Sequence, residues 1–383
     1  MQAVILAAGE GSRLRPLTRS KPKALLPVAN RPVIDYVIDA LLENGIREIV
    51  VVVGYRKEEV IRHLNSLNVP LRVVVQERQL GTGDALRAAE PEIGGDFLVL
   101  PGDNYINAGS IARIKSMRNA MLVAEHPNPS NFGVVVIRNG IVREMVEKPE
   151  DAPTFTVSTG IYSFTPEIFS YLQTNEIPDA VAAMIAAGRQ IRAIPADDWQ
   201  DAVYPWDLLK LNTRMLRGIQ PGVAGTVDAS VVRRGVVRIG KGTTVGPNTV
   251  IYGPVSIGSN CNIGPNTVIM PDTSIGDRVV LEPFTYVADS IIMSDVTVGS
   301  HSRILSAVFG QGCILADHIT TTPSPGLIEV GDRVQREEFG AILGEGVWAA
   351  PFTTFKNCIV GNNVSIIKGR TLAGRIEDGT RVM

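Results

Sequence analysis

Over about the first 215 residues, short apolar runs alternate with segments whose apolar positions recur every three or four residues. Beyond about residue 225 the spacing becomes a period of six. The first texture predicts strands at residues 3–7, 48–53, 71–75, 96–100, 120–124 and 191–194, each rich in β-branched and aliphatic residues. Between them, Val33, Val37 and Leu41 mark a helix over 32–44, Val60 and Leu64 one over 57–65, and residues 84–90 a third. Strands alternating with helices build βαβ units, so the expected class is α/β, a doubly wound Rossmann-like mixed sheet. Such sheets bind ligands beyond the carboxyl ends of their strands, where the turns after residues 3–7 and after the run LVLPGD open.

In the second texture Ile239, Val245, Ile251, Ile257, Ile263, Ile269 and Ile275 recur at every sixth position, and glycine follows several of them. No helix has that period. Leu281 and Val287 continue it, the register slips by one, Val298 and Ile304 resume it, and Val360, Ile366 and Leu372 repeat the spacing near the end. Hexapeptide repetition predicts a parallel β-helix in which each six-residue side turns one aliphatic residue inward. Residues 318–358 interrupt the pattern, with TTTPSPG as their most loop-like piece. The expected domains are 1–220 and 226–383.

Composition narrows the class. A chain of 383 residues is long for one core, and 45% hydrophobic with 20% charged residues is ordinary for a globular protein. A net charge of -2 provides no general attraction to nucleic acid or an anionic membrane, so any anion site is local. Cys261, Cys313 and Cys358 are too few and too scattered for a disulfide framework or a zinc site, and read as reduced core residues. The N-terminus enters a strand at once and no apolar stretch approaches a membrane span, so a cytoplasmic protein is expected.

The candidate chemistry starts in the first turn. Ala7, Ala8, Gly9 and Gly11 strip it of side chains, so backbone N–H groups can face an anion, and Arg13 and Lys23 add fixed positive charge. Arg offers a planar fork to phosphate and Lys a compact point charge. The Walker A spacing is absent. Asp103, just past an apolar strand, suits either a metal ion or a turn hydrogen bond. Asp207, in YPWDLLKLN, opens a helical pattern and reads either as a metal ligand or as a helix cap.

The joined pattern GEGSRL (9–14) and KPKALLPV (21–28) resembles the sugar-1-phosphate nucleotidylyltransferase family, and the resemblance extends to about residue 210. It implies that a nucleoside triphosphate and a sugar 1-phosphate are joined with release of pyrophosphate, with Mg²⁺ held by Asp103 and Asp207. Ala8, Gly9, Gly11, Ser12 and Arg13 would line the triphosphate, with Arg13 on the β- and γ-phosphates. Lys23 would bridge the α-phosphate and the sugar phosphate. Gln76, Gly81 and Thr82, around QLGTGDAL, match the family's base-reading segment, although spacing alone fits a simple strand-to-helix turn equally well. Gly133, Glu147, Lys148, Ser158 and Thr159 match segments lining the sugar pocket. Enzymes that use N-acetylglucosamine 1-phosphate commonly carry Asn where Ser158 stands. UTP with N-acetylglucosamine 1-phosphate is the first expectation. A thymidylyl- or uridylyltransferase acting on glucose 1-phosphate and a non-catalytic regulatory subunit are the alternatives, and the intact Arg13, Lys23, Asp103 and Asp207 favour catalysis.

The fusion to hexapeptide repeats resembles the bifunctional enzymes that also transfer an acetyl group from acetyl-CoA to glucosamine 1-phosphate. It implies a left-handed β-helix and a homo-oligomer, a trimer or a multiple of one. In that reading His318 takes the proton from the attacking amine, and Arg336, Lys356 and Asn357 supply polar groups. The segment WAAPFTTFKN departs from the family's Gly/Asn-rich repeat, placing Pro351 and Phe352 where an amide is expected. A purely structural β-helix remains the alternative.

Overall fold

A computed structural model describes residues 1–330 and 333–383, and the chain forms two compact units. One comprises Met1–Glu10, Pro22–Leu25 and Pro32–Asp201; the other comprises Gly11–Lys21, Leu26–Arg31 and Ala202–Met383. Two short pieces of the signature segment therefore belong with the C-terminal half rather than with the strand that precedes them.

The first unit is built on a nine-stranded sheet. Its strands are β1 (Gln2–Ala7), β2 (Glu48–Val53), β3 (Leu71–Val75), β4 (Phe97–Pro101), β6 (Ala120–Glu125), β7 (Gly133–Arg138), β8 (Ile141–Glu147), β9 (Thr156–Phe164) and β10 (Arg192–Pro195), with β5 (Asn104–Ile106) and β11 (Trp199–Asp201) forming a separate pair. The order is β3-β2-β1-β4-β9-β6-β10-β8-β7. The edge from β3 to β4 is parallel, with Val4 beside Val50 and Val99. Strands β1, β2 and β4 are buried on both faces, which is why they read as continuous apolar runs. On one face Ile5, Val51 and Leu100 pack with Ile34, Val37 and Leu41 of the helix Val33–Glu43; on the other Val4, Val50 and Val99 pack with Leu86, Val181 and Met184. The six expected strands are all present, shifted by no more than a residue at their ends. The patterning left β7, β8 and β9 unassigned, and they make the sheet mixed, since β9 runs antiparallel to both β4 and β6.

The second unit contains the β-helix. Ile239, Ile257, Ile275, Ile292, Phe309, Leu343 and Val360 stack in register as one inward column, and Val245, Ile263, Leu281, Val298, Leu315, Ala349 and Ile366 form another. Equivalent positions lie eighteen residues apart in the first coils and seventeen in later ones, which is the slip visible in the sequence. Corners place one residue per side in the left-handed backbone region, among them Asn248, Asn260, Asn266, Asp272 and Asn363, types that tolerate it best after glycine. The recurrent glycines have a different cause: a Cβ added to Gly240 would stand 2.5 Å from the Gly258 backbone, and one added to Gly258 2.6 Å from that of Gly276. Successive coils touch there. The interruption at 318–358 contains an antiparallel hairpin, Ser324–Val330 with Arg333–Phe339, after which the columns resume. All three cysteines are buried and unpaired in this core, and burial pushes the Cys313 and Cys358 thiols up to about 12.

Candidate active site

The first turn follows from β1. The Ala8 carbonyl accepts the Tyr55 N–H at 2.9 Å, which ties the end of β1 to the turn after β2. A Cβ on Gly9 would meet nothing within 4 Å, so its smallness serves no packing need of the protein. Gly11 has φ 70° and ψ 47°, a conformation that favours glycine, and it opens the 3₁₀ turn Ser12–Leu14. Leu14 is buried and anchors the turn; Ser12 is exposed and Arg13 half-buried. Among the described residues no hydrogen bond or ion pair holds the Arg13 guanidinium, which leaves its fork available to an anion.

Lys23 has the opposite surroundings. Its Nζ lies 2.7 Å from Asp103 Oδ2 and 3.4 Å from Asp201 Oδ1. Burial alone would push the ammonium's pKa down, but the two carboxylates outweigh it and hold the group above its ordinary value. Asp201 arrives because β11 pairs antiparallel with β5, which sets Asp201 opposite Asn104, the neighbour of Asp103. Sequence reasoning missed Asp201. The signal available was an acidic residue closing the short run WQD, but nothing local says which strand that run pairs with.

Asp207 is not the helix cap that its position allowed: Trp206 stands at the N-cap, and the Asp207 carboxylate faces back along the chain. Its Oδ2 accepts the Val203 and Tyr204 N–H groups at 3.2 and 2.9 Å, ahead of the helix Asp207–Leu216. Burial raises its pKa, and the Tyr204 hydrogen bond offsets only part of that.

The base-reading segment is tightly tied. Gln76 is buried, and its Nε2 donates to the Gly81 carbonyl at 3.1 Å and to Asp84 Oδ2 at 2.8 Å. Thr82 Oγ1 donates to Glu176 Oε2 at 2.8 Å and accepts the Ile177 N–H at 3.0 Å. These bonds shape a rigid turn, and Gln76 Oε1 is the amide atom they leave for a ligand.

The sugar segments converge. Gly133 and Glu147 are cross-strand partners on β7 and β8, and Val134 pairs with Val157, next to Ser158. A Cβ on Gly133 would come within 3.0 Å of Glu147 Oε2, so glycine leaves room for that carboxylate. Lys148 pairs with Glu147 at 2.5 Å. Between Ser158 and Tyr162 the β9–β6 register shifts, a bulge that re-aims this strand beside the site. The Ser158 hydroxyl shares a 3.0 Å hydrogen bond with Tyr162, and Thr159 Oγ1 donates to the Leu122 carbonyl at 3.0 Å. Both hydroxyls thus support the bulge.

In the β-helix, His318 belongs to a ladder of rings. Phe284, His301, His318 and Phe352 occupy corner positions with left-handed backbone and stack at centroid spacings of 4.9, 5.2 and 4.5 Å. The stack covers both faces of the His318 ring and leaves its nitrogens at the edge. Asn357 Nδ2 donates to the Glu337 carbonyl at 3.2 Å, under the hairpin. No described contact links Arg336, Lys356 or Asn357 with His318.

A glycine-lined turn at the end of the first strand and a lysine held between two carboxylates suit an enzyme that handles phosphoesters on an α/β sheet. Residues 2–217 match the Nucleotidyl transferase family, and residues 251–376 match the GMPPB C-terminal domain. The chain belongs to the nucleotidyl transferase family and is a sugar-1-phosphate nucleotidylyltransferase carrying a β-helix. The Bifunctional protein GlmU of Methanococcus aeolicus is 34% identical over 95% of this chain and 95% of its own length. The UTP–glucose-1-phosphate uridylyltransferase AglF of Haloferax volcanii is 40% identical over 54% of this chain and 93% of its own. The Low-salt glycan biosynthesis nucleotidyltransferase Agl11 of the same organism is 32% identical over 88% and 99%. Among the described residues no helix is long and apolar enough to cross a membrane.

Proposed function

We propose that the protein transfers a uridylyl group from UTP to N-acetylglucosamine 1-phosphate, with Mg²⁺, and releases pyrophosphate. The observation that carries this reading is Lys23 held between Asp103 and Asp201. A sugar-phosphate oxygen attacks the α-phosphorus, the bond from that phosphorus to the bridging oxygen breaks, and pyrophosphate leaves with the electron pair. No general base is needed, because the attacking oxygen is already ionised. Lys23 is placed to meet charge on the α-phosphate and sugar phosphate, and Arg13 charge on the departing pyrophosphate. Gln76, Gly81 and Thr82 shape the base site, and Glu147 accepts hydrogen bonds from sugar hydroxyls.

The donor set fits magnesium. Asp103 and Asp201 offer hard oxygen atoms, one from each resting against the Lys23 ammonium, and among the described residues no three His, Cys, Asp or Glu gather into a metal cage. Mg²⁺ takes one or two carboxylates and completes its shell with water and phosphate oxygens. When bound there it would neutralise phosphate charge. Asp201 replaces Asp207 in this proposal because Asp207 Oδ2 already accepts two N–H groups of the turn ahead of its helix.

The decisive assay is pyrophosphate release over UTP, dTTP, GTP, CTP and ATP crossed with glucose, mannose and N-acetylglucosamine 1-phosphates. Activity with UTP and N-acetylglucosamine 1-phosphate, lost with a chelator, supports the reading. Preference for glucose 1-phosphate, the substrate in the name of the AglF relative, would replace the sugar and keep the mechanism. Silence of a folded protein across the grid would point to a regulatory subunit.

The full-length match to proteins named bifunctional favours a second reading: acetyl transfer from acetyl-CoA to glucosamine 1-phosphate, with His318 as base. Thiol release from acetyl-CoA, abolished in His318→Ala, would support it, and no release from the native protein would leave the β-helix as a scaffold. The same reading carries a trimer, to be checked by light scattering.

A further inference from the structure

The last coils of the β-helix hold the turn that carries Arg13. Asn362 Oδ1 accepts the Glu345 N–H at 2.7 Å, and its backbone N–H donates to Asp378 Oδ1 at 2.8 Å. These bonds repeat a corner pattern of earlier coils, where the Ser259 N–H donates to Asp277 at 2.7 Å and the Ser300 N–H to Asp317 at 2.8 Å. Aspartate serves those corners, but it has no N–H to give. Asparagine at 362 keeps the acceptor and adds a donor, and its Nδ2 donates to the Pro16 carbonyl at 3.2 Å in a buried bond. Asp378 is divided in the same way: Oδ1 serves the corner, and Oδ2 pairs with Arg19 at 2.5 Å.

From these anchors to Arg13 the path is short. Leu17 and Thr18 are buried, and Thr18 Oγ1 donates at 2.9 Å to the carbonyl of Gly11, the residue that opens the Arg13 turn. All of Gly11–Lys21 lies in the same compact unit as the β-helix.

We propose that Asn362 and Asp378 are positioning residues for nucleotidyl transfer: by holding Pro16 and Arg19 they fix the turn that presents Arg13 to the triphosphate. The inference rests on Arg13 being a phosphate ligand. An Arg without an ion-pair partner loses conformational freedom when it binds, and anchoring its turn beforehand reduces that cost.

Asn362→Asp tests this, because it retains the acceptor for Glu345 and removes the Nδ2 donor to Pro16, along with that amide's longer 3.5 Å contact to Asp378 Oδ1. Steady-state kinetics should show kcat/KM for the nucleotide falling about three- to tenfold, the scale of one buried hydrogen bond, with KM for the sugar phosphate unmoved. Hydrogen exchange should speed at residues 12–20 and stay unchanged in the coils before 360. In an Arg13→Ala background the substitution should add nothing, because both changes remove one function. Asp378→Asn should act in the same direction but more weakly, since its partner Arg19 is exposed. Wild-type kinetics and exchange in Asn362→Asp, or an equal loss with and without Arg13, would overturn the inference. An inert Arg13→Ala would overturn the Arg13 reading as well; an impaired Arg13→Ala beside an unimpaired Asn362→Asp overturns the inference alone.

Discussion

The sheet unit and the β-helix place polar side chains by opposite means. In the β-helix a polar residue meets its counterpart from the next coil, as Ser259 meets Asp277 and His301 meets His318. In the sheet unit Lys23 meets Asp103 and Asp201, which belong to separate segments and share no period. Repetition makes a polar group part of a column, whereas convergence concentrates charge at one point. The second arrangement suits phosphate chemistry, because a charge held ready in a partly buried site need not reorganise when the reaction occurs. The β-helix contributes chemistry where a corner residue has an atom left over from the column, as at Asn362 and Asp378.

The largest contrast should come from the carboxylates. Asp103→Asn and Asp201→Asn should each lower kcat for pyrophosphate release by about 10²- to 10³-fold, while Asp207→Asn costs less than about threefold. Equal losses at Asp201 and Asp207 would return Asp207 to the metal site.

The β-helix should respond in stability instead. Phe309, fully buried, stacks between Ile292 and Leu343, and Phe309→Ala should cost about 3–5 kcal/mol in chemical denaturation. A cost below about 1 kcal/mol would mean that the column collapses to refill the gap.

A smaller effect separates a carboxylate that holds a turn from a catalytic one. Burial holds the folded-state pKa of Asp207 above its ordinary value of 3.8, so the folded chain binds the proton more readily than the unfolded one. Its contribution is therefore most favourable below 3.8 and is lost as pH rises through the raised folded value. Asp207→Asn keeps an acceptor for the Tyr204 N–H and should flatten the stability profile in that window. An unchanged slope would show that other carboxyls, such as the half-buried Asp289, set it.

Much of this was legible beforehand because it is local. Runs such as residues 48–53 read as strands since they are buried on both faces, and the hexads read as coils since each inward position stacks on the same position one turn later. Of the three unassigned strands between 133 and 164, Ile141–Glu147 mixes charged and apolar positions and Thr156–Phe164 carries a bulge that breaks simple alternation, whereas Gly133–Arg138 is an apolar run that was left unassigned. At Asp207 a metal ligand and a helix cap were both legible, and the cap is not formed, because the carboxylate holds the Val203 and Tyr204 N–H groups of the turn before the helix.

The sequence by itself determined the α/β sheet, the β-helix and the family, together with the turn that carries Arg13. Apolar period and short motifs act over a few residues and need no knowledge of what lies across the fold. Tertiary structure decided that Asp201 joins Lys23 from 178 positions away, and that the Arg13 turn is tied to coils 346 positions downstream. Ion pairs and hydrogen bonds at such separations depend on chain closure, and no local spacing records which distant groups closure brings together.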